Sequence, residues 1–415
     1  MGTFTGTSIN KMNGGLGRTS DNQDRVIVLI CGATATASVV HKAVIECLDI
    51  TGVETLGITA ATDANNAELT HYHLSEMFRL CPGFTFYLLP VVATTTVAAL
   101  VADADIKAAI RGIAGVNVIG IAGIASGTVD VINTDVLALQ AWVDGFATEK
   151  LLIDGVFLEG KAKTAGADYF AAGVDIYDAR SLAAPNISTV AMHDPAQAAL
   201  NAAYATHGAV GTVLGSAAVR KVHEDLGSVD IENKPSAKKG NENYSITDTT
   251  LGRWLSVSLS DGTPFKNITE AQQDNLSEKG YIYAGKFVDY DGYYLSGCPT
   301  AVEETSDYAF FNFNCIWNKA ARLIRATLIP MVRSKVPKEL DGTIKSTWVA
   351  STEQKLVDKL TVNMVNAGNA DAVDVYINPA QNVNASTPMA VKATLQVGDI
   401  VHSFDVDLGL TSKIS

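Results

Sequence analysis

The chain has 415 residues, of which 47% are hydrophobic and 18% are charged; this composition fits a globular protein and excludes a disordered one. Its formal net charge is −13, so direct nucleic-acid binding, which needs clustered Lys and Arg, is not expected. The five cysteines include no Cys-x-x-Cys pair, which argues against a disulfide framework or a zinc site. The N-terminus shows no secretory signal and no apolar run reaches about 18 residues, which predicts a cytosolic origin and no direct membrane contact.

The first 23 residues are rich in Gly, Thr, Ser and Asn and show no hydrophobic period, which predicts an extended arm over 1–23. Apolar runs of strand length then alternate with segments of helical spacing, and this alternation predicts an α/β domain with a largely parallel sheet over 24–223. The predicted strands are 25–31, 84–92, 116–122, 151–157 and 186–191, and the predicted helices are 38–49, 67–79, 106–110, 135–148 and 195–206.

A polar and charged stretch predicts a linker over 224–265, followed by a C-terminal α+β domain over 266–399 and a terminal strand within 400–415. The fold class is therefore a mixed α/β, multi-domain protein with extended terminal arms. The predicted C-terminal elements are a strand at 281–288, a turn at 289–292, a helix at 306–333 interrupted by Pro330, a helix at 351–367, and strands at 373–378, 389–397 and 400–410, with a turn at Gly398-Asp399 between the last two strands.

The motif Lys11-Met-Asn-Gly-Gly-Leu-Gly-Arg18 resembles the phosphate-binding loop of nucleotide-sugar transferases. Backbone amides in such a loop hold phosphate, but the loop needs a buried strand before it and a helix after it. Here an arm precedes the glycines at 14–17 and a strand follows them. We keep a nucleotide-sugar transferase as the alternative function, and expect the glycines to let the arm bend.

No other motif indicates catalysis, a metal or a cofactor. His71 and His73 would share a face only on a strand, whereas the surrounding pattern is helical, so we interpret them as two solvated histidines. A Gly-x-Ser-x-Gly elbow and a Walker A loop are both absent from the sequence. The sequence therefore predicts a protein that is not an enzyme and carries no cofactor.

A basic segment interrupts the acidic chain, because residues 316–360 contain nine basic and four acidic side chains. On a helix at about 100° per residue, Lys319, Arg322 and Arg333 project within about 60° of one another, and Arg325 widens this arc. The other positions are mostly apolar, which predicts one packed face and one cationic face. The cationic face is either an ordinary solvated surface or a docking surface for an acidic partner.

The chain ends in a segment, Ile400 to Leu410, in which apolar and polar residues alternate with strand periodicity. A free terminal strand presents an unpaired edge, and lending it to a neighbouring sheet gives a directional link by β-augmentation. The alternative is that this strand closes the sheet of its own subunit.

Three parts of the sequence, in the right order, resemble contractile tail sheath proteins. Gly14-Gly-Leu-Gly17 followed by Asp24-Arg-Val-Ile-Val-Leu-Ile30 resembles the sheath N-terminus. The run from Gly280 to Tyr294, then Thr305-Ser-Asp-Tyr308 and Asn318-Lys-Ala-Ala-Arg322, is similar to the sheath C-terminal region, as is Val375-Tyr-Ile-Asn-Pro379. The resemblance covers the arm and residues 265–415.

This resemblance implies a subunit of a virion tail or phage-tail-like particle that stacks as six-membered rings around an inner tube. It implies contraction that drives the tube through a cell envelope, and contacts with baseplate and tail terminator proteins. It makes residues 1–23 and 400–415 arms lent to neighbours, with the candidate contacts Phe4, Ile9, Leu16, Ile400, Val401, Phe404, Val406 and Leu408. It makes the cationic face tube-facing, with the candidates Lys319, Arg322, Arg325 and Arg333. A non-contractile structural or scaffold protein remains a further alternative.

Overall fold

The structure is a computed structural model. The residues that it describes are 24–163, 169–170, 176–231, 243–384, 386–402, 404 and 406. The described strands are β1 (Ile27–Gly32), β2 (Ile45–Cys47), β3 (Phe86–Val91), β4 (Val118–Ala122), β5 (Gly155–Glu159), β6 (Ile187–Val190), β7 (Met192–His193), β8 (Ser258–Leu259), β9 (Tyr281–Ile282), β10 (Ala284–Gly285), β11 (Tyr294–Leu295), β12 (Ala372–Tyr376) and β13 (Lys392–Gln396).

Eleven α-helices lie within the described residues. They are α1 (Ile50–Thr55), α2 (Ala60–Asn66), α3 (Thr70–Leu80), α4 (Val97–Ala102), α5 (Ala104–Gly112), α6 (Asn133–Thr148), α7 (Pro195–Ala198), α8 (Val210–Val219), α9 (Glu270–Glu278), α10 (Phe311–Leu328) and α11 (Ser346–Leu360). Short 3-10 turns follow α7 and α10, and a π-helical turn, Thr361–Val365, extends α11.

A seven-stranded sheet in the order β2-β3-β1-β4-β5-β6-β9 forms the centre of the molecule. All of its pairs are parallel except the edge pair of β2 with β3. The central strands β1 and β4 are apolar throughout, as expected for parallel strands covered on both faces. Alternate residues of β1 enter two separate cores, with Leu29 on one face of the sheet and Ile30 on the other.

Helices cover both faces of this sheet. The core that contains Leu29 also contains side chains of α3, α8, α10 and α11. The core that contains Ile30 contains side chains of α4, α5, α6 and α9. The predicted fold class, a mixed α/β protein with several domains, is confirmed.

Helix α8 shows no amphipathic period and was missed in the sequence, because nearly all of its side chains are buried. Two glycines let it pack closely on α3. A Cβ atom at Gly211 would lie 2.4 Å from the carbonyl oxygen of His73, and one at Gly215 would lie 3.0 Å from the Cα atom of Met77. The backbones of α3 and α8 are therefore too close together to leave room for a side chain at Gly211.

The predicted helix over 38–49 is wrong. Residues 38–44 form a loop in which Lys42 has a φ of 65°, and the next three residues form β2. Pairing of β2 with the edge of β3 has overridden the weak helical pattern.

Residues 224–265, interpreted above as a linker, contain buried side chains. Trp254 is completely buried; its indole N–H donates to Glu76 at 2.8 Å and its backbone N–H to Asp194 at 2.8 Å. Strand β9, which lies within the predicted domain 266–399, pairs with β6 of the central sheet. Both segments pack on the α/β body, and the predicted domain bounds stay a prediction.

The C-terminal region forms a smaller unit in which α10 and α11 pack together beneath a two-stranded antiparallel sheet of β12 and β13. These strands match the predictions over 373–378 and 389–397. Of the helix predicted over 306–333 with an interruption at Pro330, the structure forms α10 from Phe311 to Leu328. The ring of Pro330 clashes with a continuing helix, and a 3-10 turn takes its place.

Candidate inter-subunit surface

The β12–β13 sheet pairs with no other strand among the described residues. Val391, Ala393, Leu395 and Val397 alternate along the β13 side and pack towards the helices, while Lys392, Thr394 and Gln396 are exposed. Strand β12 contacts α11 beneath it. Because neither strand has a second partner among the strands that the structure describes, the outer edge of each offers backbone N–H and C=O groups for pairing.

An apolar groove of 840 Å³ lies where β13 faces α10. Its helix wall includes Phe313, Ile316, Trp317 and Ile324, and its sheet wall is the apolar row of β13. The Trp317 side chain is 49% exposed. Large aromatic side chains left half-exposed above an apolar groove are typical of surfaces that bind a partner.

The C-terminal segment leaves this unit without forming a strand in the residues described between 400 and 406. The predicted hairpin of this segment with β13, through Gly398-Asp399, is therefore absent from these residues. The exposed fractions of Val401, Phe404 and Val406 are 63%, 84% and 75%. Ile400 is partly buried beside a pocket of 380 Å³, and the remaining arm candidates Phe4, Ile9, Leu16 and Leu408 lie outside the described residues.

The four candidate tube-facing cations have different surroundings. The Lys319 ammonium forms an ion pair with Asp24 at 2.5 Å, and the Arg322 guanidinium forms one with Asp154 at 3.0 Å. Arg325 donates to the backbone carbonyl of Lys150 at 2.6 Å and is otherwise near the surface. Arg333 lies beyond the helix, is exposed and has a φ of 64°. The predicted arc of 60° therefore does not exist, because the helix ends before Arg333.

The ion pair between Arg322 and Asp154 connects α10 to the start of β5. Burial raises the pKa of Asp154, and the neighbouring Arg322 guanidinium opposes this rise. Asn318 adds a hydrogen bond to the carbonyl of Ile153 at 3.1 Å. Sequence reasoning missed this role, because the carboxylate partners are more than a hundred residues away in the chain.

The two histidines interpreted as solvated are buried, which corrects that interpretation. His73 is completely buried on α3 and accepts a hydrogen bond from the Gly211 backbone at 3.2 Å. His193 and His207 stack nearby with ring centroids 5.0 Å apart. Burial lowers the pKa of His73 and His207 to about 4 and of His193 to about 3. These rings are neutral core groups at pH 7.

Within the part of the chain that the structure describes, no cluster of three or more His, Cys, Asp or Glu side chains could hold a metal ion. No helix among the described residues is both long and apolar enough to cross a membrane. The glycines at 14–17 lie outside the described residues. Among the described residues, the candidate functional surface is therefore the β12–β13 sheet with its apolar groove.

Solved chains of contractile particles share this fold. A chain of the anti-feeding prophage (AFP) helical sheath in the contracted state matches with a TM-score of 0.60 and 13% identity, covering 100% of both chains. A chain of the PVC sheath complex, from an extracellular contractile injection system in the contracted state, matches with a TM-score of 0.55 and 13% identity, covering 100% of this chain and 99% of that chain. A chain of the AFP baseplate matches with a TM-score of 0.60 and 12% identity, covering 99% and 100%. The chain has the fold of contractile sheath-type proteins.

The sequence also matches two family models. The DUF2586 N-terminal domain matches residues 4–298, and the DUF2586 C-terminal domain matches residues 307–415. The protein belongs to the DUF2586 family. A search of curated proteins finds no match.

Proposed function

We propose that this chain is the structural subunit of a contractile sheath, and not an enzyme. Copies of it stack helically as six-membered rings around an inner tail tube, and contraction drives the tube through a cell envelope. The observation that carries this proposal is the unpaired β12–β13 sheet above an apolar groove, in a chain with the fold of sheath-type proteins.

The small sheet needs a further strand. Strand β12 contacts α11, whereas no strand among the described residues fills the groove between β13 and α10, where Trp317 is half-exposed. A strand added to the free edge of β13 would lie over the side of α10 that faces this groove. It would form backbone hydrogen bonds, each worth about 0.5–1.5 kcal/mol net. It would also bury the apolar surface of the groove, which stabilises the complex by about 25 cal/mol per Å² of buried apolar area.

The chain has terminal segments suited to supply such a strand to a neighbour. The described side chains of Val401, Phe404 and Val406 are exposed and would find apolar contacts in a neighbouring groove. The N-terminal candidates Phe4, Ile9 and Leu16 are proposed to act in the same way. Exchange of both arms links each copy to several others, as a mesh requires.

The partners follow from this architecture. We propose that copies of this chain bind one another, an inner tube protein, and the baseplate and terminator proteins at the ends of a virion tail or phage-tail-like particle assembled in the bacterial cytoplasm. Of the four cations proposed to face the tube, Arg325 and Arg333 are the more accessible, because Lys319 and Arg322 form intramolecular ion pairs. Exposed ion pairs are weak, about 0–1 kcal/mol each, which suits a tube that must be gripped and then released.

Expression of the full chain, followed by negative-stain electron microscopy, tests this proposal. We expect hollow striated tubes from the wild-type chain, and soluble particles of the same thermal stability when residues 403–415 are deleted. Wild-type protein that stays monomeric at high concentration in the presence of tube protein would contradict the proposal. A deletion variant that polymerises normally would contradict the role of the C-terminal arm.

A further inference from the structure

Asp24, the first described residue after the predicted arm over 1–23, is held by two side chains from other parts of the fold. The Asn117 side chain, just before β4, donates to the Asp24 carbonyl at 2.6 Å and accepts from the Val26 backbone at 2.8 Å. From α10, the Lys319 ammonium pairs with the Asp24 carboxylate at 2.5 Å. Each such contact fixes a side chain at a cost in conformational entropy, and together the contacts restrain the position of Asp24.

The next residue strengthens the same attachment. The guanidinium of Arg25 is buried, donates to the backbone carbonyls of Ala217 and Lys221 at the end of α8, and lies 5.1 Å from the centroid of the Phe311 ring on α10. The first described residues are thus fixed to both α8 and α10. We call Asp24 and Arg25 the N-terminal root.

The C-terminal segment is also held at α10. The His402 ring stacks on the Phe310 ring with centroids 5.1 Å apart and an interplanar angle of 29°. Phe310 is the residue that precedes the first turn of α10, and the Arg180 guanidinium lies 5.7 Å from its ring centroid. His402 also lines the 380 Å³ pocket together with the buried Asp225. We call His402 the C-terminal root.

Both roots therefore attach to one helix. Lys319 lies nine positions after Phe310, which corresponds to about 14 Å along a helix axis at about 1.5 Å per residue. The helix is in turn fixed to the central sheet by Arg322 and Asp154.

We propose that α10 sets the spacing and direction of the two arm roots, so that a copy engages its two sets of neighbours in one fixed geometry. Lys319 is then a positioning residue for the N-terminal arm. This inference rests on the proposed function, because it concerns arms that link copies. It also changes the role of Lys319, whose charge pairs with Asp24 and is not offered to another protein.

A charge swap separates these two roles of Lys319. Lys319→Glu places two carboxylates together at the N-terminal root, and we expect the critical concentration for tube formation to rise at least tenfold. The double variant Asp24→Lys with Lys319→Glu restores an ion pair of opposite sense, and we expect recovery to within about threefold of the wild type. Lys266→Glu, a charge reversal at an exposed residue outside both roots, is the matched control and should leave the critical concentration unchanged.

The C-terminal root is tested with His402→Ala and His402→Phe. The phenylalanine ring keeps the stacking on Phe310, so we expect normal assembly from His402→Phe and a rise of about fivefold in critical concentration from His402→Ala. Because the proposal concerns the relative placement of the roots, Lys319→Glu combined with His402→Ala should lose much less than the product of the two single losses.

The outcomes distinguish this inference from the proposed function. Wild-type protein that forms no tubes would overturn the proposed function itself. If the wild type forms tubes, three results would overturn only the role of α10. These are a Lys319→Glu variant with an unchanged critical concentration, a charge-swap variant whose critical concentration stays high, and a double variant whose rise in critical concentration equals the product of the two single rises. A swap variant that forms sheath tubes but no longer binds the inner tube would return Lys319 to a tube-facing role and overturn the inference.

Discussion

The two sheets of this protein differ in how completely the chain covers them. The seven-stranded sheet has helices on both faces, and its central strands are fully buried. The β12–β13 sheet has helices on one face only, and its edges pair with nothing among the described residues. The first sheet is covered within one copy, whereas the second has free edges with which, under the proposed function, a neighbouring copy pairs. This contrast separates the residues that should control folding from those that should control assembly.

The largest effect should come from disturbing the helices that cover the seven-stranded sheet. Gly211→Ala places a Cβ atom 2.4 Å from the His73 carbonyl, so α3 and α8 must move apart. Overpacking of this kind costs about 1–3 kcal/mol or more, and we expect the thermal midpoint to fall by several degrees. Gly112→Ala is the matched control, because a Cβ there meets nothing within 4 Å, and it should be neutral or slightly stabilising. A Gly211→Ala variant as stable as the control would contradict the close packing.

The next effect concerns the groove beside the β12–β13 sheet and should leave folding intact. Trp317→Ala removes a half-exposed side chain from the groove, so the monomer loses little. A central aromatic residue at an interface contributes about 2 kcal/mol or more, so we expect the critical concentration for tubes to rise about 30-fold, measured by sedimentation. Leu200→Ala, at an exposed site 71% accessible and away from the groove, is the control. Equal behaviour of the two variants would exclude the groove as an interface.

The third effect is a pH dependence of the stability of the folded chain, which arises from His73 on α3. The pKa of His73 is near 6.5 in an unfolded chain and about 4 in the folded protein, because burial disfavours the charged ring. Between these values the unfolded state binds the extra proton, so stability is retained above about pH 6.5 and is lost as the pH falls towards 4. We expect urea unfolding to show this loss, of up to a few kcal/mol.

His73→Asn isolates that contribution, because the amide oxygen can still accept the Gly211 N–H while the side chain no longer titrates. The variant should lose less stability than the wild type between pH 6.5 and 4. Parallel losses in the two proteins would mean that folding does not lower the pKa of His73.

The smallest effect belongs to the exposed cations. Arg333→Glu should weaken binding to an inner tube by no more than about fivefold, since exposed ion pairs are worth about 0–1 kcal/mol. Self-assembly and thermal stability should stay unchanged. Co-sedimentation with tube protein at low and high salt measures this effect, which should disappear at high salt. A loss of self-assembly instead would place Arg333 between copies of this chain.

The sequence predicted the parts of the fold that carry a local signal. Strand β1 was predicted from a continuous apolar run of strand length, and the strongly amphipathic α10 was predicted from helical periodicity. Helix α8 was missed, because a helix that is buried all round has no period to detect. The loop and β2 at 38–47 were missed, because pairing with β3 decides their structure.

The candidate site was predictable only in part. Strands β12 and β13 were predicted from the sequence, whereas the strand predicted over 400–410 is absent from the residues described between 400 and 406. The surroundings of Lys319 and Arg322 could not be predicted, because their partners Asp24 and Asp154 come close only in the folded chain. A cationic helix face in a sequence is therefore compatible with both a docking surface and an internal attachment, and the fold decides between them.

The most direct test of the account is a cryo-electron microscopy map of tubes assembled from the full chain. We expect density for at least one strand of a neighbouring copy paired with the free edge of β13 and covering Trp317. A map in which this edge and groove face solvent, with copies in contact only through the seven-stranded domain, would contradict the central claim.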